Sequence, residues 1–322
     1  MVLFQMTTFN RYSKNPIIKR EDIPLSCTDG IESSSVFNPG AILDNGIFHL
    51  LLRVQNRQRK TFLTHCSSTN GHDFTVDAQS VRINGIDELG LEIFHIYDPR
   101  IVKIEDVFLV SAAVDVEGGC RIAIFSTKDF KEMDLIHMGD VDSRNAVLFP
   151  EKINGHYCLL DRPNNQFAGG VMSGSQICFS ASTDLISWGR SVPVMSGNHH
   201  YWDELIGAGP PPIRTKEGWL LVYHGVATHF MSSNIYQAGV ALLDANEPHK
   251  VLARCPANIF EPRESYELTG QVPNVVFPTG LLVDTSSEKP ENCNEVLMYY
   301  GAADSSVCLA KTTIQKLLDC LK

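Results

Sequence analysis

The stretch "IYDPRIVKIEDVFLVSAAVD", Ile96–Asp115, sets an aspartate between an aromatic residue and a proline, ahead of two apolar runs split by the polar turn "IED". Apolar, β-branched and aromatic runs on either side of such a turn form a β-hairpin. Four other segments repeat the arrangement: "FNPGAILDNGIFHLLLRV" from Phe37, "LFPEKINGHYCLLDRP" from Leu148, "GPPPIRTKEGWLLVYHGV" from Gly209, and "VFPTGLLVD" from Val276 completed by "EVLMYYGAAD" from Glu295. Each hairpin leads to a third strand, as in "TFLTHCSSTNGHDF" and "CRIAIFSTKDF". A repeat of about 50–65 residues belongs to propellers and arrays. Radial four-stranded sheets make a propeller, so five units predict an all-β, five-bladed β-propeller spanning residues 1–322 as one catalytic domain. A β-sandwich would leave the fivefold recurrence unexplained. The one clear helix signal is the tail "TIQKLLDCLK" from Thr313.

Composition narrows the partners. The chain has 322 residues, 43% hydrophobic and 20% charged, with a formal net charge of −10. That acidity argues against nucleic acid and anionic membrane surfaces, and it requires any anion site to be a local cationic pocket. No apolar run reaches the roughly 18 residues that span a bilayer. The start, "MVLFQMTTFNRYSKNP", lacks the basic-then-apolar pattern of a signal peptide. Nine cysteines stand singly with no CxxC, which fits reduced thiols in a cytoplasmic protein rather than disulfides or structural zinc. No metal site is expected. Cys66, His65, His72 and Asp73 fit no ligand spacing, and the "HH" at His199 and His200 reads as loop. Oligomeric state stays open, a homo-oligomer included.

In a propeller the innermost strands line the central channel. The starts of the repeats therefore bring Asn38, Asp98, Arg144, Gly209 and Phe277 towards the axis, where convergent polar groups mark the default site. Asp98 precedes a proline, as turn-opening aspartates do, but it sits at a blade start beside Tyr97 and Arg100. Hairpin ends at matching places carry Arg53, Arg162 and His224, with Asp304 ending the fifth. Charged hairpin ends are commonly solvated surface, yet these close otherwise apolar runs. One carboxylic acid among arginines and a histidine suits an enzyme that protonates a leaving oxygen while holding an anion, since a guanidinium fork donates two hydrogen bonds to phosphate. "GAGPPP" opens no helix and reads as a rigid turn entering a blade.

"YDPRI", "LFPEKINGHY", "IGAGPPPIRTKEGWLLVYHG" and "VPNVVFPTG" together resemble glycoside hydrolase family 130, the β-mannoside phosphorylases and related mannosidases, over nearly the whole chain. The resemblance implies a five-bladed propeller and an inverting reaction. Phosphate attacks a terminal β-mannosyl unit and releases α-mannose 1-phosphate. It implies that Asp98, in the "DPR" motif, is the general acid, its proton travelling through a sugar hydroxyl. Phosphate contacts would fall to Arg144, Arg162, His224 and Tyr236, and mannose contacts to Asn38, Arg53 and Asp304. Inorganic phosphate is then the co-substrate and no cofactor is required. One place departs. Phosphorylases of this type usually carry a lysine shortly before "IGAG", where this chain has Glu204 and Leu205. An inverting β-1,2-mannosidase using water, with Glu204 or Glu267 as base, is the alternative, and a non-catalytic carbohydrate-binding propeller is a third reading.

Overall fold

Each of the five repeats folds as an antiparallel sheet, and the sheets stand radially as blades around one axis. The computed structural model describes residues 8–139, 142–167, 170–172, 175–229, 233–284 and 295–322. From the axis outward, the first blade is Ser33–Asp44, Ile47–Asn56, Thr61–Ser68 and Thr75–Ser80. The second is Ile93–Ile104, Val107–Val116, Gly119–Thr127 and Glu132–Met138, with Arg82–Asn84 added in parallel at its rim. The third is Ser143–Leu148, Tyr157–Pro163, Gln176–Ser182 and Val192–Ser196. In the fourth, Leu205–Ala208 and Ile213–Arg214 share one partner, Trp219–Ala227, followed by Ile235–Leu243 and Val251–Arg254.

The fifth blade is closed by both ends of the chain. Val276–Val283, Glu295–Ala302 and Ser306–Thr313 are completed by Asn10–Arg11 from the amino-terminal side. Beyond this sheet, Ile314–Asp319 forms the expected helix, with the Thr313 hydroxyl accepting from Lys316 N. No described helix is long and apolar enough to cross a membrane.

The strands read as unbroken apolar runs because each blade is covered on both faces. Leu50, Leu52 and Val54 pack with Leu297, Tyr299 and Leu309 of the fifth blade, while the intervening Leu51 packs with Val110, Ala112 and Phe125 of the second. The core is thus a series of layers between blades, and its strands have no solvent-facing side to alternate with.

Two repeats depart from the arrangement read in the sequence. In the third, the inner strand precedes the proline. It ends at Leu148, and Pro150, which has no N–H for a ladder, lies beyond it. In the fourth, "GAGPPP" does not lead into the blade but divides its inner strand, since three consecutive prolines cannot donate to the Trp219–Ala227 ladder. The eight described cysteines are free thiols, and Cys293 lies outside the described residues.

Glu267, read in the sequence as an alternative base, belongs to this closure. It is fully buried, and both oxygens are engaged. Oε1 accepts from Arg11 Nε at 2.8 Å and Tyr300 Oη at 2.7 Å, and Oε2 from Arg11 Nη2 at 2.8 Å and the Arg263 and Glu264 amides at 2.7 and 3.0 Å. One carboxylate therefore ties the amino-terminal strand to the fifth blade and to the short helix Ser265–Leu268. Removing one partner of a buried ion pair typically costs about 3–5 kcal/mol. Glu267→Ala should lower stability by that order in chemical denaturation. Any protein that remains folded at assay temperature should keep its ligand affinity.

Candidate active site

A two-for-one bulge recurs at one place in four inner strands. Asn38 and Pro39 oppose Leu52, Asp98 and Pro99 oppose Ala112, Asn145 and Ala146 oppose Asp161, and Pro278 and Thr279 oppose Tyr300. Such bulges re-aim a side chain and are common beside active sites. In three blades the first bulge residue is left-handed, with φ of +48° at Asn38, +53° at Asp98 and +56° at Asn145. Asn and Asp are the side chains that tolerate this conformation best, at about 1–3 kcal/mol each when the surroundings impose it.

These bulges open into a cavity of about 290 Å³ at the axis. Asn38, Arg53, Asp98, Arg144, Arg162, His224, Tyr236 and Asp304, all singled out in the sequence, line it together with Phe277. Asp98 Oδ1 accepts from Asn38 Nδ2 and from Arg53 Nη1, both at 2.9 Å. No described residue hydrogen-bonds its Oδ2. Arg53 lies between the rings of Phe37 and Tyr97, 4.5 and 4.4 Å from their centroids, so the residues preceding Asn38 and Asp98 fix the guanidinium by cation–π contact.

The opposite side of the cavity is cationic. Arg144 and Arg162 are cross-strand partners. The Nε of each is buried without a hydrogen-bond partner, and neither makes an ion pair among the described residues. Burial and the neighbouring Arg144 push the Arg162 guanidinium down to about 10. His224 is fully buried, with Asn145 Nδ2 3.4 Å from its Nε2 and the Phe277 ring 4.6 Å away. Burial first, then Arg162 and Arg100, hold the imidazole neutral, well below the ordinary histidine range. Gly207 makes the room. A Cβ there would stand 2.4 Å from His224 Cε1 and 2.6 Å from Asn145 Nδ2.

Four residues that shape the site have no role of their own in the sequence reading, where Tyr97 and Arg100 are noted only as neighbours of Asp98. Asn145 lines the cavity from the bulge equivalent to Asn38 and Asp98, a position read there as belonging to its neighbour Arg144. Tyr97 and Asp115 also line it, joined by a Tyr97 Oη hydrogen bond to Asp115 Oδ1 at 2.7 Å. Arg100, 2% exposed, donates from Nη1 to the Asp98 carbonyl at 2.5 Å and from Nε to the Gly209 carbonyl at 3.2 Å. It anchors the strained Asp98 backbone to the fourth blade.

Some expectations need correction. Gly209 does not line the cavity; it contributes the carbonyl that Arg100 grips. Arg53, Arg162 and His224 share a register, but the fifth blade's equivalent is Gly301, opposite Phe277. Asp304 reaches the cavity from the turn beyond. Gly301 leaves space for Asn38, whose Oδ1 would lie 2.0 Å from a Cβ there. Glu204 lies outside the cavity, where its carboxylate accepts from the Thr228 hydroxyl and pairs with His199 at 3.2 Å. His199, His200 and Glu204 cluster at the surface with donor atoms within 4.8 Å of one another.

Residues 9–322 match the family described as beta-1,4-mannooligosaccharide phosphorylase. The chain belongs to glycoside hydrolase family 130. It is 33% identical over 319 residues to a β-1,4-mannooligosaccharide phosphorylase of Ruminococcus albus, covering 97% of this chain and 90% of that protein. It is 32% identical over 293 residues to a 1,2-β-oligomannan phosphorylase of a Thermoanaerobacter species, covering 87% and 90%. The structure of a β-1,2-mannobiose phosphorylase from Listeria innocua, in complex with β-1,2-mannobiose, superposes with a TM-score of 0.80 at 27% identity, over 97% of this chain and 99% of that one.

The acidic side of the cavity sets a pH test. Burial raises the Asp304 carboxyl to about 6, with Arg53 opposing and Asp98 adding to the shift. The folded state thus holds this proton more tightly than the unfolded chain, whose aspartates titrate near about 4. Stability associated with the protonated form is present below that pH and is lost as pH rises through about 6. Asp304→Asn should therefore melt higher than the parent at pH 7.5, with the gap closing by pH 4. An equal gap at both pH values would contradict the assignment.

Proposed function

We propose that this chain cleaves β-mannosides by inverting phosphorolysis. The observation that carries the reading is the pair Arg144 and Arg162, a half-buried and a buried guanidinium side by side that make no ion pair among the described residues, in the same small cavity as Asp98. Placing two like charges side by side out of water is expensive, and an anionic co-substrate offsets that cost. Inorganic phosphate, gripped by these two forks and hydrogen-bonded by His224 and Tyr236, attacks the anomeric carbon from the face opposite the leaving group. The C1–O bond to the acceptor sugar breaks as the bond from C1 to a phosphate oxygen forms, giving α-mannose 1-phosphate. Asp98 supplies the proton for the leaving oxygen, relayed through a sugar hydroxyl that meets its open Oδ2. Asn38, Arg53 and Asp304 hold the mannosyl ring against it. Asp98 and Arg53 thus serve the sugar, and Arg144 and Arg162 the nucleophile.

The hydrolytic alternative needs a carboxylate on the nucleophile's side of the ring. Glu204 lies outside the cavity, tied to Thr228 and His199, and Glu267 is locked in the closure. The free thiols fit the reducing cytoplasm expected from the sequence.

The deciding experiment incubates the protein with β-1,2-mannobiose, β-1,4-mannobiose and mannosyl-glucose, with and without phosphate. Mannose 1-phosphate should form only when phosphate is present. Equal cleavage in its absence, abolished by Glu204→Gln, would replace phosphorolysis with hydrolysis. Asp98→Asn should keep the fold and lose about 10²–10⁴-fold in turnover on natural substrates, with a smaller loss where the leaving group is already acidic. Arg144→Ala or Arg162→Ala should raise the KM for phosphate by about one to two decades, the worth of a charge-assisted hydrogen bond, and that for sugar far less.

A further inference from the structure

The strand Tyr157–Pro163 carries a second buried charge that the reaction does not use. Arg162 points to the central cavity. Its neighbour Asp161 turns the other way, into a crevice of about 310 Å³ between the second and third blades. Asp161 is 8% exposed, its Oδ2 accepts from Ser143 Oγ at 2.6 Å, and its Oδ1 has no partner among the described residues. A buried oxygen left unpaired keeps its desolvation cost without return, so it calls for a donor.

The rest of the crevice indicates what brings one. Ser143, Ser180, Ser191 and His137 stand with Asp161 as polar lining, while Ile122, Leu159 and Trp188 supply apolar surface. The volume is too large for a bare cation and lies at the small end of ligand pockets. A pyranose presents this same mixture. Its hydroxyls donate to a carboxylate and exchange hydrogen bonds with serines, and its C–H faces lie against indole and aliphatic side chains.

We propose that this crevice is a second saccharide site, which takes one neutral hexose ring apart from the central cavity. Burial, opposed by the Ser143 hydrogen bond, raises the Asp161 carboxyl to about 6. Hydroxyl donors from a sugar would replace the hydrogen bonds that burial withholds from the carboxylate. The site also neighbours the catalytic one. Asp161 precedes Arg162 and opposes the Asn145–Ala146 bulge, so an occupied crevice bears on two cavity residues through one strand.

The test is a calorimetric titration of the full chain with methyl α-mannoside and with glucose, supported by crystals soaked in each. The parent should show two sites per chain. Asp161→Ala and Trp188→Ala should each weaken one of them by about tenfold or more, while Arg53→Ala weakens the other. Asp161→Asn, which keeps the side-chain volume, gives the same reading if the alanine variant does not fold. Density for a sugar ring against Asp161 and Trp188 supports the proposal. One site per chain, lost only in Arg53→Ala, overturns it. So does a crevice filled by water alone in the soaked crystals, or binding at crystal concentration only. None of these outcomes depends on phosphate, so the result stands apart from that of the phosphorolysis experiment.

Discussion

The catalytic reading rests on the bulge that recurs in the inner strands. A regular ladder would send alternate side chains into the layers between blades, where this protein packs leucine, valine and phenylalanine. One extra residue per strand breaks that alternation at the axis and turns Asn38, Asp98 and Asn145 into the cavity. The left-handed backbone is a local cost, and each residue has a contact that holds it. Asn38 and Arg53 hold the Asp98 carboxylate, Arg100 holds its carbonyl, and Asn145 meets His224. Gly207 and Gly301 complete the device, because a methyl group at either place would occupy the space of a cavity side chain.

The cavity separates its charges by blade. Asp98, Asp304 and Arg53 converge from the second, fifth and first blades, and there each charge has an opposite neighbour. Arg144 and Arg162 both come from the third blade, and Arg162 has only another cation beside it in the ladder. The neutral His224 adds hydrogen-bonding capacity without adding to that positive charge. A neutral sugar suits the balanced side and an anion the unbalanced one, within a space too small for the two to bind independently.

Much of this was legible because the chain repeats itself. Five copies of a hairpin gave the propeller, and matching places within the copies gave Asp98, Arg53, Arg162 and His224. The reading failed where a copy deviates. Proline marks the inner strand in the first, second and fifth repeats, but in the third Pro150 follows it, so the motif points to Arg144 rather than to the bulge residue Asn145. The fifth hairpin was aligned on its last charge, which made Asp304 look equivalent to Arg53 when Gly301 holds that register. Glu267 and Arg100 illustrate a different gap. A carboxylate that closes the ring and a guanidinium that braces a bulge look in sequence like any other charged residue, because their roles depend on partners far along the chain. Arg11 lies 256 residues from Glu267, and Gly209 lies 109 from Arg100.

Sequence relationship gives the family, but the choice between phosphate and water as nucleophile is made by a few side chains within it. The family also includes hydrolases that target β-1,2-mannosidic linkages. Water as nucleophile needs a base and gains nothing from two adjacent guanidiniums, whose mutual repulsion would be a standing cost. Phosphate brings its own nucleophilic oxygen and its own negative charge, so it needs the cations and no base. The cavity has the cations, and among the described residues that line it no carboxylate across from Asp98 is free of other contacts. Asp304 faces the Arg53 side, Asp115 is engaged by Tyr97, and Glu204 lies outside. The nucleophile that makes this arrangement least costly is the one that arrives charged.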